Sequence, residues 1–423
     1  MAEQELLVRS ANDITETWVL NLLQYHHHHN LSGIGGTVRL RKWCLQDLKS
    51  KETLGGGCSS RVIVKVEYEV MGDVEHPATT EEQLKEETFV VKTVPSQGVM
   101  VDMLTSEGLH HSEVNQYGKF LRVLVTWEAE RRGVDVGMMA EIVPSHVLAV
   151  SDDHYFTLVL PDLTQLGYQT RLLEEGLSGP EVMVTARALG RFHGTAVAFK
   201  MVTKTNLQDS FPTCFHVAHD QSELFTFFHK AGFERLHQEW EGLPERAALL
   251  SLLKPYETHA TTFVVHNLLP REPFATAIHG DPQPTNILFK YTADGDCTIK
   301  LIDWAQARYS KGTYDLVYML SIGVEPEVRR QVSSQAKEEY FKAFNDTLKD
   351  LDAGLAYPRN VFDEDMMLSE QLSVVWCVSS INLLYSSTRL QRRLYCILND
   401  ILYSPSIKPL HYFLPESSSS SSS

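Results

Sequence analysis

Polar and hydrophobic residues alternate over the first part of the chain in a way that predicts a small sheet. In Arg61–Val70 (RVIVKVEYEV), every second residue from Val62 onward is apolar or aromatic, which is typical of a strand with one buried face. Thr37–Trp43, in which Val38 and Leu40 alternate with basic residues, and the β-branched stretch Thr88–Val94 predict two further strands. The polar stretch 72–87 predicts a surface loop.

Segments with the spacing of helices precede and follow these strands. Apolar residues recur at helical intervals within residues 1–30, and residues 107–130 predict another helix. His146–Val150 and Tyr155–Leu160 then predict two more strands of the same sheet.

Long helices dominate after Pro161. Residues 220–266, 328–350 and 368–402 all favour helix, and one strand–loop–strand element at 276–309 interrupts them. We therefore predict an α+β protein with three parts. These are a sheet-rich lobe over 1–160, a mainly helical lobe over 161–412, and a disordered serine-rich tail over 413–423.

Composition and charge limit the classes of partner and function that the chain could have. The 423 residues include 38 basic and 54 acidic side chains, a net charge of −16, which argues against a nucleic-acid or anionic-membrane partner. The six cysteines contain no CxxC pair and predict reduced thiols. Because the N-terminus lacks an apolar signal core and no apolar run could span a membrane, we expect a soluble, cytoplasmic protein.

The run His26–His29 has two interpretations. It could bind a metal, but such sites usually draw on distant acidic or cysteine ligands, so a solvated helix end or loop is favoured.

The most informative segment is Ala277–Ala307. It contains His279-Gly280-Asp281, then Asn286 five residues after the aspartate, and finally Asp303 behind a predicted hairpin. Because a hairpin brings its two open ends together, Asn286 and Asp303 are expected to emerge at the same end.

These three residues suit phosphoryl transfer. Asn286 and Asp303 supply the oxygen ligands that Mg²⁺ prefers, and Asp281 can accept a hydroxyl proton from the preceding loop. The alternative is that HGD is merely a turn and IDW a buried strand end. The chain has neither GxxxxGK[ST] nor GxSxG, which excludes a P-loop enzyme and a serine hydrolase of that type.

HGDPQPTNILF, KLIDW and YDLVYML together resemble the aminoglycoside phosphotransferase/choline kinase group, and most closely its ecdysteroid kinase-like branch. LVLPDL at Leu158–Leu163 and LGRFHG at Leu189–Gly194 add to the resemblance, which spans roughly residues 35–400. It implies a bilobal, protein-kinase-like fold with a small antiparallel sheet in the N-lobe. The activity implied is that of an ATP- and Mg²⁺-dependent small-molecule kinase.

The resemblance also implies roles for single residues. Lys92 matches the strand lysine that contacts the nucleotide phosphates, and Glu113 matches its helix partner, with Glu107 as the competing acid. Asp315 is expected to brace the catalytic loop, and His279 to pack against it.

Two further segments match the nucleotide site. The turn Gly55–Ser60 can cover phosphates through its glycine N–H groups and serine hydroxyls, with a plain hairpin turn as the alternative. The segment Leu158–Leu163 is the expected hinge against which ATP binds. The residues predicted to contact the nucleotide in these segments are Gly56, Gly57, Ser59, Ser60, Leu160, Asp162 and Leu163.

The acceptor site is expected on helices within 205–270 and 370–400. Aromatic residues crowd the first range, and they favour either helix core or a pocket for a bulky apolar alcohol. They are Phe211, Phe215, Phe225, Phe227, Phe228, Phe233 and Trp240. Three functions follow: a kinase for a lipophilic, ecdysteroid-like alcohol, a kinase for choline or amino sugars, or a non-catalytic nucleotide-binding or interaction protein.

Overall fold

The computed structural model describes residues 3–30, 37–47, 59–71, 84–94, 107–217, 222–405 and 407–414. The chain divides into two compact units that are discontinuous in sequence. Unit 1 comprises Met1–Gln169, Phe211–Cys214 and Leu288–Gln306. Unit 2 comprises Thr170–Ser210, Phe215–Ile287 and Ala307–Ser423. The predicted tail 413–423 lies outside the described residues from residue 415 onward.

Unit 1 is built on a five-stranded antiparallel sheet. In spatial order its strands are β1 (Thr37–Asp47), β2 (Ser60–Met71), β3 (Leu84–Thr93), β5 (Phe156–Pro161) and β4 (Leu148–Ser151). In β2 the side chains of Val62, Val64, Val66 and Tyr68 are buried, as their alternation predicts.

The loop prediction for residues 72–87 is wrong at its C-terminal end. Its last four residues, Leu84–Glu87, already belong to β3, where Leu84 pairs with Glu69 and Lys85 with Tyr68. Charged residues are tolerated here because ladder hydrogen bonds satisfy the backbone and the side chains point partly to solvent.

Helices complete unit 1. They are α1 (Glu16–Asn30), α2 (Leu109–Asn115), a π-helical segment (Gln116–Leu121), α3 (Arg122–Arg132) and α4 (Met139–Ile142). α1 packs on the sheet through Trp18, Val19, Leu22 and Leu23, which share a core with the strand valines. The predicted helix over 107–130 is therefore present, with one π-helical stretch inside it.

The histidine run lies on α1 and is not simply solvated. His27 is buried and its Nε2 lies 3.1 Å from the Tyr68 hydroxyl, while the His29 ring stacks on Tyr25 with centroids 4.3 Å apart. Among the described residues, no group of three or more His, Cys, Asp or Glu side chains could hold a metal ion.

The predicted hairpin is present. β8 (Ile287–Tyr291) and β9 (Cys297–Leu301) are hydrogen-bonded neighbours, and Thr292 and Asp296 close the turn through Thr292 N–H to Asp296 O at 2.8 Å. A two-residue strand β6 (Gln169–Thr170) lies where the chain passes from unit 1 to unit 2.

Unit 2 is mainly helical. Its helices are α5 (Gly179–Thr203), α6 (Leu207–Ser210), α7 (Glu223–Trp240), α8 (Pro244–Leu268), α9 (Thr313–Ile322), α10 (Pro326–Asp350), α11 (Arg359–Ser379), α12 (Ile381–Leu384) and α13 (Thr388–Leu402). A short antiparallel pair, β7 (Ala275–Ile278) with β10 (Arg308–Lys311), lies among them. The helix predicted over 220–266 is two helices, because Gly242 has φ +79° and Pro244 begins the second.

The glycines of LGRFHG allow α5 to approach α10 closely. A Cβ on Gly190 would lie 2.5 Å from the Tyr340 carbonyl oxygen, and one on Gly194 would lie 2.8 Å from the Phe344 carbonyl oxygen. Backbone contact at this distance requires glycine, and it holds His193, which lies between them in sequence, in the interior of unit 2.

The α+β class, with a small antiparallel sheet and a mainly helical part, is confirmed. Of the described helices, none is both long and apolar enough to cross a bilayer. The five described cysteines are all free.

Candidate active site

One cluster of predicted site residues is a buried ion pair in unit 1. Lys92 lies near the end of β3, and its ammonium is 2.6 and 2.7 Å from the two carboxylate oxygens of Glu113 on α2. The two side chains are only 7% and 4% exposed. The resemblance implies this pair, and Glu113 rather than Glu107 forms it.

Burial raises the pKa of Glu113, because removing a carboxylate from water disfavours its charged form. The ammonium of Lys92 opposes this effect. The carboxylate therefore depends on Lys92 to remain ionised in the interior.

Asp303 joins the pair from the end of β9. Its Oδ1 lies 3.3 Å from the Lys92 ammonium, and its Oδ2 accepts a hydrogen bond of 2.8 Å from Arg61. Asp303 has φ +68°, a left-handed conformation that is uncommon for residues other than glycine. Strained backbone of this kind tends to occur at functional sites, where the surrounding structure enforces it.

Arg61 is a residue that the sequence interpretation did not single out. It lies directly opposite Lys92 in the β2–β3 register, so both cations reach the same carboxylate. The sequence signal that could have identified Arg61 is its position directly after the glycine-rich turn Gly55–Ser60, at the beginning of a predicted strand.

The residues of the glycine-rich turn that were predicted to contact the nucleotide lie only partly within the described residues. Gly56 and Gly57 lie outside the described residues, while Ser59 and Ser60 are half-buried, and the Ser59 hydroxyl accepts a hydrogen bond of 3.3 Å from Arg61. Ser59 thus lies beside the Arg61–Asp303 contact.

The predicted hinge residues lie at the end of β5 and just beyond it, with Leu160 in the strand, and Asp162 and Leu163 at the beginning of a short 3-10 helix. Leu160 and Leu163 are both 8% exposed. The Asp162 carboxylate caps a short helix by accepting hydrogen bonds from the Thr164 N–H at 3.0 Å and the Thr164 hydroxyl at 2.7 Å. The structure thus gives the Asp162 side chain a capping role.

A second cluster of predicted site residues is the loop 279–286 of unit 2. The Asn286 amide donates hydrogen bonds of 3.0 Å both to the Asp281 carbonyl and to its carboxylate Oδ2. Gln283 donates a further bond to the same carboxylate oxygen at 3.2 Å. The D-x4-N spacing therefore closes a small loop in which the asparagine orients the aspartate.

Asp315 braces this loop, as predicted. Its carboxylate accepts hydrogen bonds from the backbone N–H groups of His279 at 2.7 Å and Gly280 at 2.9 Å. His193 Nε2 lies 3.1 Å from the same carboxylate. The His279 Nδ1 in turn accepts a hydrogen bond of 3.2 Å from the Asp281 N–H, so His279 packs within the loop, as predicted.

Asn286 in unit 2 and Asp303 in unit 1 each offer an oxygen of the kind that a hard divalent cation prefers. Because the Asn286 NH₂ group is used in donation to Asp281, its carbonyl oxygen is the atom left to coordinate a metal. Asp303 supplies carboxylate oxygens, and Mg²⁺ prefers oxygen ligands of these kinds.

The profile of the ecdysteroid kinase-like family matches residues 59–353, well over half of the chain. The chain belongs to the ecdysteroid kinase-like family. The loop at Asp281, the Lys92–Glu113 pair and Asp303 all lie inside the matched range. Membership of this family supports a small-molecule kinase as the class of activity.

Several solved structures are distantly similar to this family member. An ethanolamine kinase from Plasmodium vivax is 11% identical with a TM-score of 0.38, and the match covers 92% of this chain and 89% of that one. A macrolide 2'-phosphotransferase from Brachybacterium faecium is 12% identical with a TM-score of 0.37, covering 92% and 99%. A choline kinase from Streptococcus pneumoniae is 11% identical with a TM-score of 0.33, covering 90% and 99%. No curated protein matches the chain.

The aromatic residues predicted for the acceptor site of this family member occupy several environments. Phe225, Phe233 and Trp240 are buried in the core of unit 2, whereas Phe227 is 48% exposed. Phe215 is buried, Phe228 is half-buried, and Phe211 falls in unit 1. Most of these aromatic residues therefore belong to helix core. Phe225 also lies beside two polar side chains, His229 and Arg308.

A ring cluster surrounds Phe225 in unit 2. The Trp376 ring on α11 is 5.5 Å from Phe225 and 6.1 Å from His229, and Phe225 is 5.9 Å from His229, all between ring centroids. Tyr314 on α9 is 6.3 Å from Trp376 and donates a long hydrogen bond of 3.5 Å to the Gly280 carbonyl. The cluster thus extends to the residue before Asp281.

His229 should make folding stability sensitive to acid. Burial lowers its pKa from 6.5 to about 4, so the unfolded chain binds the proton first as the pH falls. This penalty grows from pH 6.5 down to about 4 and reaches about 3 kcal/mol at most. In His229→Gln, chemical denaturation at several pH values should give a flatter dependence of unfolding free energy over this window. The exposed His266→Gln on α8 is the control, and equal slopes for the two variants would contradict the assignment.

Proposed function

We propose that the protein transfers the γ-phosphoryl group of ATP to a hydroxyl of an uncharged, lipophilic alcohol such as a steroid. The observation that carries the proposal is the convergence of Lys92, Glu113 and Asp303 in unit 1, with hydrogen-bonding distances of 2.6 to 3.3 Å. A buried lysine paired with a helix glutamate and a metal-binding aspartate is the arrangement that protein-kinase-like enzymes use to hold nucleotide phosphates.

In this proposal, Asp281 is the general base. The acceptor hydroxyl donates to its carboxylate, the alcohol oxygen forms a bond to the γ-phosphorus, and the bond from that phosphorus to the β,γ-bridging oxygen breaks. The proton passes to Asp281, and the products are a phosphate monoester and ADP. Asn286 supports this role because its amide already donates to the carboxylate at 3.0 Å.

Asn286 and Asp303 would hold Mg²⁺, which supplies positive charge to the phosphates when bound. Lys92 would contact the phosphates, with Ser59 and Ser60 beside the glycine-rich turn as further donors. Since much of the catalytic effect in phosphoryl transfer comes from positioning and electrostatics, these residues act mainly by orientation. A cytoplasmic location, where ATP is available, is part of the proposal.

The surroundings of Asp281 favour one class of acceptor. A choline or amino-sugar kinase binds a cation and calls for acidic side chains around the acceptor. The groups that interact electrostatically with Arg308, a buried cation of unit 2, include Asp281 itself, so a positive charge already lies near the base. This favours an uncharged acceptor over a cationic one.

The proposal is tested by an ATP-consumption assay with Mg²⁺ against steroid, retinoid, choline and aminoglycoside alcohols, with product identification by mass spectrometry. We expect a phosphate ester of a lipophilic alcohol, absent when Asp281→Asn replaces the wild type. Turnover restricted to choline or aminoglycosides would favour the second function. ATP binding in a thermal-shift assay without turnover of any alcohol would favour a non-catalytic protein.

Arg61 should contribute to nucleotide affinity. Because it lies opposite Lys92 and already binds the Asp303 carboxylate, it can exchange that contact for a phosphate oxygen. For Arg61→Gln we expect the KM for ATP to rise about five- to tenfold, the size of one partly exposed charge-assisted hydrogen bond, with a smaller change in kcat. Initial-rate kinetics measure both constants.

The control is Arg41→Gln on β1. Arg41 is 38% exposed, Arg61 is 37% exposed, and both pair with a carboxylate, Glu69 in the case of Arg41. An equal KM for ATP in the two variants would show that Arg61 has no part in nucleotide binding.

A further inference from the structure

Arg308 is a fully charged side chain in the interior of unit 2. It begins β10, pairs with Ile278 in the β7–β10 register, and is only 2% exposed. Ile278 is followed directly by His279-Gly280-Asp281, so the register places Arg308 beside the strand that leads into the catalytic loop. Burial lowers the pKa of Arg308, but a guanidinium begins so far above neutrality that it keeps its proton.

The Arg308 guanidinium lies close to two aromatic rings. The Arg308 guanidinium carbon lies 5.4 Å from the centroid of Phe225 and 5.9 Å from that of Trp376. Both distances fall within the range of cation–π attraction. The aromatic faces that could bind a cationic ligand are thus already in contact with a cation of the protein itself.

The groups that offset the charge of Arg308 include the base. Tyr314, Asp281, Asp315 and Tyr318 all favour its charged form electrostatically. Asp315 is committed to the His279 and Gly280 N–H groups, and the pKa values of the two buried tyrosines are raised, so both phenols are neutral. Asp281 is thus one of the carboxylates that interact electrostatically with Arg308.

The ring cluster also contains buried polar atoms that have no hydrogen-bond partner among the described residues. His229 is 3% exposed, and its Nδ1 lies 3.1 Å from the Thr261 hydroxyl. Among the described residues, its Nε2 and the buried indole N–H of Trp376 have no hydrogen-bond partner. A buried polar atom without a partner is costly, and a ligand hydroxyl or carbonyl can satisfy it.

We propose, resting on the proposed function, that Arg308 is the specificity-determining residue of the acceptor site and that it selects an uncharged alcohol over a cationic one. The acceptor body packs on the rings of Phe225 and Trp376, and its further polar groups meet His229 and the Trp376 indole. A cationic acceptor is rejected because it would face the guanidinium at short range in a poorly solvated interior, where like charges repel strongly.

The test uses two alcohols of nearly equal shape, para-tert-butylbenzyl alcohol and its trimethylammonium isostere. Calorimetry gives the dissociation constant of each, and initial rates with ATP and Mg²⁺ give kcat/KM. For the wild-type chain we expect the neutral alcohol to bind at least about tenfold more tightly, as expected for juxtaposed like charges. In Arg308→Gln the ratio should fall to about threefold or less, and in Arg308→Lys, which keeps the charge, it should persist.

Because the two alcohols are compared on the same variant, partial loss of folded protein cancels from the ratio. Arg187→Gln on α5 removes the same charge from an Arg187–Glu339 pair in which the arginine is 43% exposed, and it should leave the ratio unchanged. Preference for the cation, an unchanged ratio in Arg308→Gln, or binding of neither alcohol overturns the proposal. Selective binding without phosphorylation would instead count against the proposed function, so the two failures are distinguishable.

Discussion

Asp281→Asn should abolish ATP-dependent phosphorylation while leaving the protein folded. The substitution removes the negative charge that takes the hydroxyl proton, and loss of general-base catalysis costs about 10²- to 10⁴-fold in kcat. The fold should persist because the asparagine oxygen can still accept the hydrogen bonds from Asn286 and Gln283, now at 3.0 and 3.2 Å. Initial rates, ATP binding and thermal unfolding measured on the same preparation separate these effects.

The matched control is Asp294→Asn in the exposed turn of the β8–β9 hairpin. It makes the same chemical change and should leave kcat, ATP binding and unfolding temperature at wild-type values. Turnover by Asp281→Asn within a few-fold of wild type would remove Asp281 from the role of base. Loss of ATP binding together with activity would instead indicate a structural role for its carboxylate.

Sequence reasoning succeeded where the determining information is local. The β8–β9 hairpin follows from two short apolar runs flanking Thr292–Asp296, and the alternation in Arg61–Val70 predicts which side chains of β2 are buried. The contact between Asp281 and Asn286 likewise depends on residues five positions apart. Each of these features is specified by turn chemistry or by a short-period pattern.

Contacts between distant parts of the chain could not be predicted in this way. Arg61 and Asp303 are separated by 242 positions, and nothing near either residue indicates the other. Arg308 follows the IDWAQA segment as one more basic residue, and its burial beneath aromatic rings of α7 and α11 depends on packing of helices far apart in sequence. The Lys92–Glu113 pair was predicted only because the resemblance supplied the partner.

The histidine run and the beginning of β3 show how tertiary contacts override composition. His27 has a polar, solvent-favouring side chain, yet it is buried because the Tyr68 hydroxyl offers it a partner on the neighbouring sheet. Leu84–Glu87 has a loop-like composition, yet it is a strand because β2 extends far enough to pair with it. In both cases the deciding atoms belong to another element.

Breaking the Lys92–Glu113 pair should be the most destabilising change at the candidate site. Lys92→Met leaves a buried carboxylate, and Glu113→Leu leaves a buried ammonium whose remaining partner, Asp303, lies 3.3 Å away. Removing one member of a buried ion pair typically costs about 3–5 kcal/mol of unfolding free energy. The double variant Lys92→Met/Glu113→Leu should recover a large part of that loss, because neither charge then remains alone in the interior.

The coupling free energy of the pair is measured by urea unfolding of the wild type, both single variants and the double variant. In a separate kinetic measurement, the KM for ATP should rise in every variant that lacks Lys92. The exposed pair Lys342–Asp346, 2.5 Å apart on α10, provides the matched cycle. Its variants Lys342→Met and Asp346→Leu should show no measurable coupling, because solvent screens the interaction and the ordering of two long side chains opposes it. Strictly additive losses at Lys92 and Glu113 would mean that the two residues stabilise unit 1 independently, and the pair would then have no role in holding the lysine for the phosphates.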